Sequence, residues 1–397
     1  MKRKSLSCLI LLCTAIWVCA PISSALDQVV QKKTYTQDEF VLVSGQKLVG
    51  VKVGYETYGQ LNASGDNAIL ICHFFSGDSH AAGKYAADDK VPGYWDAIIG
   101  PGKALDTDRY FVITSDTLCN LNTKNPTVVT TGPASIDPKT GKPYGMSFPM
   151  VTIRDFVNLQ YELVKSLGVK KLAAVAGASM GGLQTFQWAA AYPDFVERAI
   201  PVISTPRVHG WLLGWLDLWG MPIMSDPKWN AGDYYDTDGP VQGLSNALKI
   251  VTLSAFWTGW AENCCDRKWS DKEGSPYAAM PNTFLIDNAL ETRARDRAKL
   301  ADANSMLYLV KANTLFDLAD QAGSMEQAFK SMKAKVLMIG ADTDMLFPPS
   351  QIKAYLEPMT NAGLSASYFE INTGNGHLGG ILDIGQAQEV ISKFIAQ

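Results

Sequence analysis

The feature that most constrains this chain is a short segment in which a buried strand turns directly into a helix. The apolar run Leu172–Ala176 leads into Gly177-Ala178-Ser179-Met180-Gly181, and a helical pattern follows from Gly182. A continuous apolar run is typical of a strand that is buried on both faces. The Gly-x-Ser-x-Gly pattern at such a joint predicts a nucleophile elbow, which exposes the serine hydroxyl above the sheet edge. An ordinary glycine-rich turn or a phosphate-binding loop would match the same five residues.

The segments around this joint alternate between strand and helix. The pattern at residues 152–167 predicts a helix, because Thr152 and Asp155 can form a capping box and Gly168 can end the helix. Strands are predicted at 40–43, 51–58, 68–73, 110–114, 199–203, 335–340 and 366–371, and further helices at 351–359 and 386–395. This order predicts an α/β fold with a mostly parallel central sheet flanked by helices.

One interval breaks the alternation. Residues 205–331 hold helical patterns without a clear buried strand, and we interpret this cap segment as an inserted helical lid. The predicted α/β core therefore consists of residues 26–204 and 332–397.

The first 25 residues have the pattern of a secretory signal peptide. Lys2-Arg3-Lys4 precedes an apolar stretch, and Ser23-Ser24-Ala25 offers small residues for cleavage. We therefore predict an exported protein, periplasmic or secreted, that has no stable membrane insertion after cleavage. An uncleaved anchor helix is the alternative.

Charge and cysteine content exclude other classes of function. The net charge is −4 and no basic stripe is present, so nucleic acid is not an expected partner. No clustered metal-ligand spacing occurs, so we predict no metal and no cofactor. The pairing of Cys72, Cys119, Cys264 and Cys265 stays open, although the adjacent pair is expected to be reduced or bonded to separate partners.

A serine nucleophile needs a base and an acid that follow it in the chain order Ser, acid, His. Of the histidines, only His209 and His377 follow Ser179, and His377 alone lies in a glycine-rich loop beyond the last predicted strand. We predict His377 as the base. The acid is Asp344, at the end of the preceding strand, with Asp342 as an alternative that could instead form a turn.

Backbone amides are predicted to hold the oxyanion. Met180 follows the nucleophile, and Phe75 lies in the loop at residues 73–80, with Phe74 as the next candidate. His73 is expected to pin this loop, and the role of His80 is left open.

Several longer motifs make the chain similar to homoserine O-acetyltransferases, a branch of the α/β-hydrolase superfamily. The motifs are residues 72–80 (CHFFSGDSH), 93–113, 131–152, 172–194, 302–308 (DANSMLY) and 340–351. The resemblance implies an α/β-hydrolase fold, an acyl-Ser179 intermediate, ping-pong transfer and a helical lid that often serves dimerisation. Carried over by motif, the catalytic triad is Ser179, Asp344 and His377.

Three departures from the family pattern change the predicted acceptor. Leu378 stands where the family has an Asp that meets the acceptor's amine. The stretch 211–227 lacks the family's lid Arg, and residues 119–126 replace a glycine-rich segment. Together with predicted export, these departures favour water as acceptor, and hence an exported esterase acting on a small-molecule ester. The alternatives are an acyltransferase that uses acyl-CoA and a hydroxyl acceptor, or a non-catalytic binding protein.

Substrate contacts are the least constrained part of the site. Trp211, Trp215 and Trp219 recur every four residues, as on one face of a helix. This stripe can pack the lid, form the face of a homodimer, or line an acyl pocket. Trp211, Trp215 and Leu378 are the candidate substrate contacts.

Overall fold

The computed structural model describes residues 29–397, and the signal peptide predicted at residues 1–25 lies outside them. Ten strands occur in the described part of the chain. They are β1 (Lys33–Val41), β2 (Lys47–Tyr58), β3 (Ala68–Cys72), β4 (Ile99–Gly100), β5 (Leu105–Asp106), β6 (Phe111–Ser115), β7 (Leu172–Ala178), β8 (Arg198–Val202), β9 (Lys335–Ala341) and β10 (Ala366–Ile371).

Eight of these strands form the central sheet, in the order β1-β2-β6-β3-β7-β8-β9-β10. β1 pairs with β2 and β2 with β6 in antiparallel fashion, and the other neighbours are parallel. The sheet is therefore mostly parallel, as predicted. Parallel neighbours bring their carboxyl ends to one edge, where residues that follow β3, β7, β9 and β10 can meet.

The helices are α1 (Ile153–Ser166), α2 (Met180–Ala191), α3 (Gly210–Met224), α4 (Val241–Ala255), α5 (Thr258–Cys264), α6 (Leu285–Leu300), α7 (Ala303–Thr314), α8 (Leu318–Ala322), α9 (Met325–Ser331), α10 (Pro349–Lys353), α11 (Leu356–Asn361), α12 (Gly379–Leu382) and α13 (Gln388–Ala396). Short 3₁₀ helices lie at Gly145–Ser147, Pro227–Gly232, Gly376–Leu378 and Ile384–Ala387. The predicted capping box is present at α1, where Thr152 and Asp155 bond each other's backbone amides.

Apolar packing covers both faces of the sheet. Along β3, Leu70 belongs to the cluster that contains Phe156 of α1, whereas Ile69 and Ile71 belong to the cluster that contains Ile391 of α13. Alternate side chains of one strand thus enter opposite cores, because successive residues of a strand point to opposite faces. This burial on both faces explains the continuous apolar run in the sequence.

Helices α3 to α9 lie between β8 and β9, in the interval that holds the cap segment. Within it α3 packs against α4 and α7, and α4 packs against α6. No helix in residues 29–397 is long and apolar enough to cross a membrane.

Two local predictions were wrong. The helix predicted at 351–359 is divided into α10 and α11, because the Pro358 ring cannot fit against the carbonyl of Ala354 in one continuous helix. The adjacent Cys264 and Cys265 form a disulfide with each other. Cys72 and Cys119 are free thiols buried in the core, so neither is placed to pair with them.

Candidate active site

Ser179 occupies the sharp turn between β7 and α2. Its backbone has φ 57° and ψ −119°, a positive φ that non-glycine residues rarely adopt and that is held here by its surroundings. The Ser179 amide donates to the carbonyl of Val202 at 2.9 Å, and the amides of Gly182 and Leu183 donate to the Ser179 carbonyl. The turn is thus tied to both flanking elements, and the half-buried serine side chain lies at the carboxyl edge of the sheet.

The two glycines of the elbow are required by close approach. A Cβ at Gly177 would lie 2.5 Å from the carbonyl carbon of Gly181 and 2.7 Å from the carbonyl oxygen of Cys72. A Cβ at Gly181 would overlap the same Cys72 carbonyl. Only glycine at these positions lets α2 start this close to β3.

The structure brings together the three side chains that the sequence predicted as a triad. His377 lies in the 3₁₀ turn beyond β10, and its Nε2 is 2.8 Å from Ser179 Oγ. Its Nδ1 is 2.8 Å from Asp344 Oδ2. Because a carboxylate only accepts hydrogen bonds, Nδ1 carries the proton and Nε2 is free to accept from the serine hydroxyl.

Asp344 is the carboxylate that faces the imidazole. It is 3% exposed, and its Oδ1 accepts hydrogen bonds from the amides of Leu346 at 2.8 Å and Phe347 at 3.0 Å. Asp342 instead accepts from the amide of Thr373 at 2.9 Å. The two candidate acids therefore have different positions, one beside His377 and one holding the backbone of the loop.

The histidine loop is fixed by its own contacts. The Gly376 amide donates to Thr343 Oγ1 at 3.1 Å, and Asn375 Nδ2 donates to Asp383 at 2.8 Å. The Phe347 ring stacks on the imidazole, with centroids 5.6 Å apart. These contacts restrict the rotation of His377 before any substrate arrives.

The predicted oxyanion donors lie on the elements expected to carry them. Met180 is the first residue of α2, and Phe75 lies in the loop after β3. Neither amide donates to another protein acceptor among residues 29–397. The amides at the start of a helix lack intrahelical partners and carry partial positive charge, which suits a developing oxyanion.

Buried polar contacts hold the Phe75 loop in place. His73 Nδ1–H donates to the Phe74 carbonyl at 2.7 Å, and its Nε2 accepts from the Thr117 amide at 3.2 Å. Asn120 and Asn122 donate to the carbonyls of Gly77 and Ser76, each at 3.1 Å. Burial lowers the pKa of His73 to about 4, so its imidazole is neutral at pH 7.

A buried charged cluster beneath this loop was not predicted from the sequence. Glu56 of β2 is fully buried and contacts Lys32 at 3.2 Å, His80 at 3.1 Å and the Tyr85 hydroxyl at 2.5 Å. Burial raises its pKa, but these hydrogen bonds and the charge of Lys32 lower it overall. The alternation of apolar and polar residues along β2 is typical of a strand with one solvated face, and only the tertiary structure shows that Glu56 faces inward.

The three candidate substrate contacts lie in different surroundings. Leu378 follows His377 and lines a cavity of about 440 Å³. Trp211 is 53% exposed, and its indole N–H donates to the carbonyl of Met345 at 2.5 Å. Trp215 packs edge-on against Trp211 and does not line that cavity. Trp219, also in the stripe, packs against the ring of Phe75 at 5.2 Å.

The fold and the serine site define the class of the protein. The family described as alpha/beta hydrolase fold matches residues 67–378, so the chain belongs to that family.

Individual relatives narrow this assignment. Homoserine O-acetyltransferase of Methanococcoides burtonii is 42% identical over 90% of this chain and 72% of its own. The crystal structure of homoserine O-acetyltransferase from Bacillus anthracis matches with a TM-score of 0.89 at 38% identity, over 93% of this chain and 98% of its own. The crystal structure of esterase E22 matches with a TM-score of 0.88 at 44% identity, over 92% of this chain and 100% of its own. The chain is thus an enzyme of the homoserine O-acetyltransferase-like branch.

The relatives correct two predictions. We predicted an exported esterase, but the curated relatives that match 90–95% of the chain at 37–42% identity are homoserine O-acetyltransferases. The acyltransferase that we kept as an alternative fits these relatives better. The same finding contradicts the predicted periplasmic or secreted location, because acyl-CoA, the donor that the resemblance implies, is cytoplasmic.

Proposed function

We propose that this enzyme transfers an acyl group from acyl-CoA to the hydroxyl of homoserine, through an acyl-Ser179 intermediate. The observation that carries the proposal is the hydrogen-bond chain from Ser179 Oγ through His377 to Asp344, with both distances at 2.8 Å. The homoserine O-acetyltransferases among its relatives support the choice of donor and acceptor.

In the first half-reaction His377 Nε2 takes the proton of Ser179 as Oγ attacks the thioester carbonyl. The amides of Met180 and Phe75 hold the resulting oxyanion, and one such donor typically stabilises the transition state by about 3 kcal/mol. When the C–S bond breaks, the imidazolium returns the proton to the departing thiolate. Asp344 stabilises the imidazolium without itself taking a proton.

In the second half-reaction the acceptor hydroxyl takes the place of the thiol. His377 removes the hydroxyl proton, the acceptor oxygen attacks the acyl-serine carbonyl, and the same two amides hold the oxyanion. Ser179 leaves with the proton from His377, which restores the resting enzyme. Because the acyl group stays on the enzyme between the two steps, the kinetics are ping-pong.

We also propose that the cap segment serves as a lid and carries a homodimer contact. Its α3 exposes apolar side chains, which supports a role in docking a second copy: Trp211, Leu213, Leu218, Met221 and Met224. The small-molecule substrate then enters between the cap segment and the core.

Initial-rate kinetics test the transferase proposal. We expect CoA release from acetyl-CoA to depend on added L-homoserine, and double-reciprocal plots at several homoserine concentrations to be parallel. Ser179→Ala should lose this activity, while its circular dichroism spectrum stays that of the wild type.

The contradicting result is equally clear. CoA release at the same rate with and without homoserine, with acetate as product, would mean that water hydrolyses the acyl-enzyme. Intersecting lines would mean that donor and acceptor bind together and that no acyl-enzyme is formed.

A further inference from the structure

A cavity adjoins the catalytic residues where the cap segment meets the core. Its volume is about 440 Å³, and its core side is formed by Ser76 and Leu378. These residues directly follow the proposed oxyanion donor Phe75 and the proposed base His377. Two other lining residues, Ala255 and Phe256, lie against Gly376, because a Cβ built at Gly376 would be 2.9 Å and 2.8 Å from their carbonyl groups. The cavity is therefore next to the loop that carries His377. Its cap side is formed by the second half of α4 and by α6.

Arg297 of α6 is one of the side chains that line the cavity. Its Nη1 donates to Thr252 Oγ1 at 3.0 Å, and the Thr252 hydroxyl in turn donates to the Leu248 carbonyl at 2.7 Å. Because the Thr252 O–H points to the Leu248 carbonyl, the lone pairs of this hydroxyl are left to accept from the guanidinium. A guanidinium has five N–H donors, so further donors remain for a ligand.

The charge of Arg297 is not balanced by its neighbours. Among the ion pairs found in residues 29–397, none includes Arg297, whereas Arg295 on the same helix pairs with Glu291 at 2.9 Å. The cavity also holds Arg293, a second cation, and Asp296, whose carboxylate pairs with Lys299 at 2.7 Å. The cavity therefore has an excess of positive charge.

The rest of the lining makes that charge costly. Val251, Ala255, Phe256 and Leu378 give the cavity an apolar wall. Burial lowers the pKa of Arg297 to about 10, so the side chain is still cationic at neutral pH. An unpaired cation in an apolar recess loses hydration without a compensating partner. A carboxylate or phosphate can accept two parallel hydrogen bonds from a guanidinium and supply that partner.

We propose that Arg297 binds an anionic oxygen group of a substrate, either the carboxylate of the acceptor or a phosphate of acyl-CoA. The proposal rests on the acyltransferase function and deepens it, because it assigns the residue that recognises substrate charge. The stretch 211–227, most of which lies in α3, contains no Arg, so this cation comes from a different helix, α6.

Paired substrates reveal which group Arg297 binds. L-Homoserine is compared with 3-aminopropan-1-ol, which keeps the amine and hydroxyl but has no carboxylate. Acetyl-CoA is compared with S-acetyl-N-acetylcysteamine, which keeps the thioester but has no phosphate. Arg297→Met is the test variant. Arg297→Lys keeps the positive charge but lacks the two parallel N–H donors of the guanidinium. Arg295→Met is the control on the same helix.

If the carboxylate is the ligand, Arg297→Met lowers kcat/KM for L-homoserine by about 10- to 100-fold, the usual loss for a hydrogen-bonded charge. The value for 3-aminopropan-1-ol then stays within about twofold, and Arg297→Lys lies between Arg297→Met and the wild type. If a phosphate is the ligand, the same loss appears for acetyl-CoA and not for S-acetyl-N-acetylcysteamine. Arg295→Met should match the wild type throughout.

The proposal is overturned if Arg297→Met behaves like Arg295→Met with all four substrates, or if it lowers activity equally with the charged and uncharged members of each pair. A calorimetric measurement distinguishes failure of the Arg297 proposal from failure of the proposed transferase function. It compares the binding of L-homoserine and of CoA to Ser179→Ala with their binding to the double variant Ser179→Ala with Arg297→Met. A wild type that transfers no acetyl group to L-homoserine would refute the transferase function alone. Affinities for both ligands that do not change in Arg297→Met would refute the inference about Arg297.

Discussion

At the scale of single residues, two aspartates in one loop have different environments. Asp344 contacts the imidazole at 2.8 Å, and Asp342 contacts the Thr373 amide at 2.9 Å. A carboxylate beside the base fixes its tautomer and stabilises the imidazolium, whereas a carboxylate on a backbone amide affects only the loop.

This difference predicts the outcome of a matched pair of substitutions. Asp344→Asn should lower kcat by on the order of 10³- to 10⁴-fold, because an amide would favour the wrong imidazole tautomer. Asp342→Asn should lower kcat by less than about tenfold and act mainly on the melting temperature. Steady-state rates and thermal melts of both variants decide the matter, and the reverse ranking would mean that the acid is misassigned.

The sequence predicted the triad because each member follows a recognisable strand. It did not indicate the cavity that Arg297 lines, because α6 meets α4 and Leu378 there only through the packing of the cap segment. Glu56 was missed for a similar reason. The alternating pattern of β2 is typical of a strand with one solvated face, yet Glu56 is fully buried against Lys32.

At the scale of elements, buried charges join β2, β6 and the Phe75 loop. Asp116, which directly follows β6, accepts from the amides of Ser79 at 2.8 Å and Val129 at 2.9 Å, and lies 3.7 Å from Lys32. Burial raises the pKa of Asp116 from 3.8 to about 6, against the opposing effects of Lys32 and the amides. The loop that carries Phe75 is therefore attached to a group that titrates in a mildly acidic range.

The sign of the pH effect follows from linkage. Between pH 4 and about 6 the folded protein retains the Asp116 proton and the unfolded chain has lost it, so this group's contribution to stability falls as pH rises. We expect Asp116→Asn to gain stability relative to the wild type over this range and to show a constant difference above it. Urea unfolding of both proteins from pH 4 to pH 7 measures the difference. A difference that does not change with pH, or that changes in the opposite direction, would contradict the assignment.

The order of strands and helices in the core was predictable, because apolar runs and caps are local signals. The division between α10 and α11 shows where predicting helices from the spacing of apolar residues fails, because a single proline interrupts a helix that the apolar pattern would continue. The Cys264–Cys265 disulfide was not predicted, because pairing depends on where the other cysteines are buried.

At the scale of the whole molecule, α3 presents an apolar face that a single copy leaves exposed. Leu213 is 38% exposed and Met221 is 46% exposed, on a helix that packs on α4 and α7 with its other face. Exposed apolar surface of this kind marks a candidate protein contact. It supports the homodimer that we propose for the cap segment.

Sedimentation velocity tests this dimer. The wild type should sediment as a dimer, and the double variant Leu213→Glu with Met221→Glu should sediment as a monomer, because two charges would be desolvated at the interface. Met280→Glu is the control, since Met280 is 97% exposed in the cap segment and lies outside α3. A monomeric wild type, or a dimer that persists in the double variant, would refute the proposed contact.

The whole-molecule function was the part least accessible from the sequence. Leu378 and the missing lid Arg suggested water as acceptor, but the curated relatives that match most of the chain are acetyltransferases. The absence of a charge at one expected position did not exclude a charge elsewhere, because helices distant along the chain meet at the same cavity.

The most direct test of the account is the fate of the acyl group on Ser179. Intact-protein mass spectrometry after brief mixing with acetyl-CoA should show one acetyl adduct, which peptide mapping places on Ser179 and which Ser179→Ala does not form. Adding L-homoserine should discharge the adduct faster than buffer alone and yield O-acetylhomoserine in equal amount. No adduct, or discharge to acetate at a rate that homoserine does not change, would contradict the account.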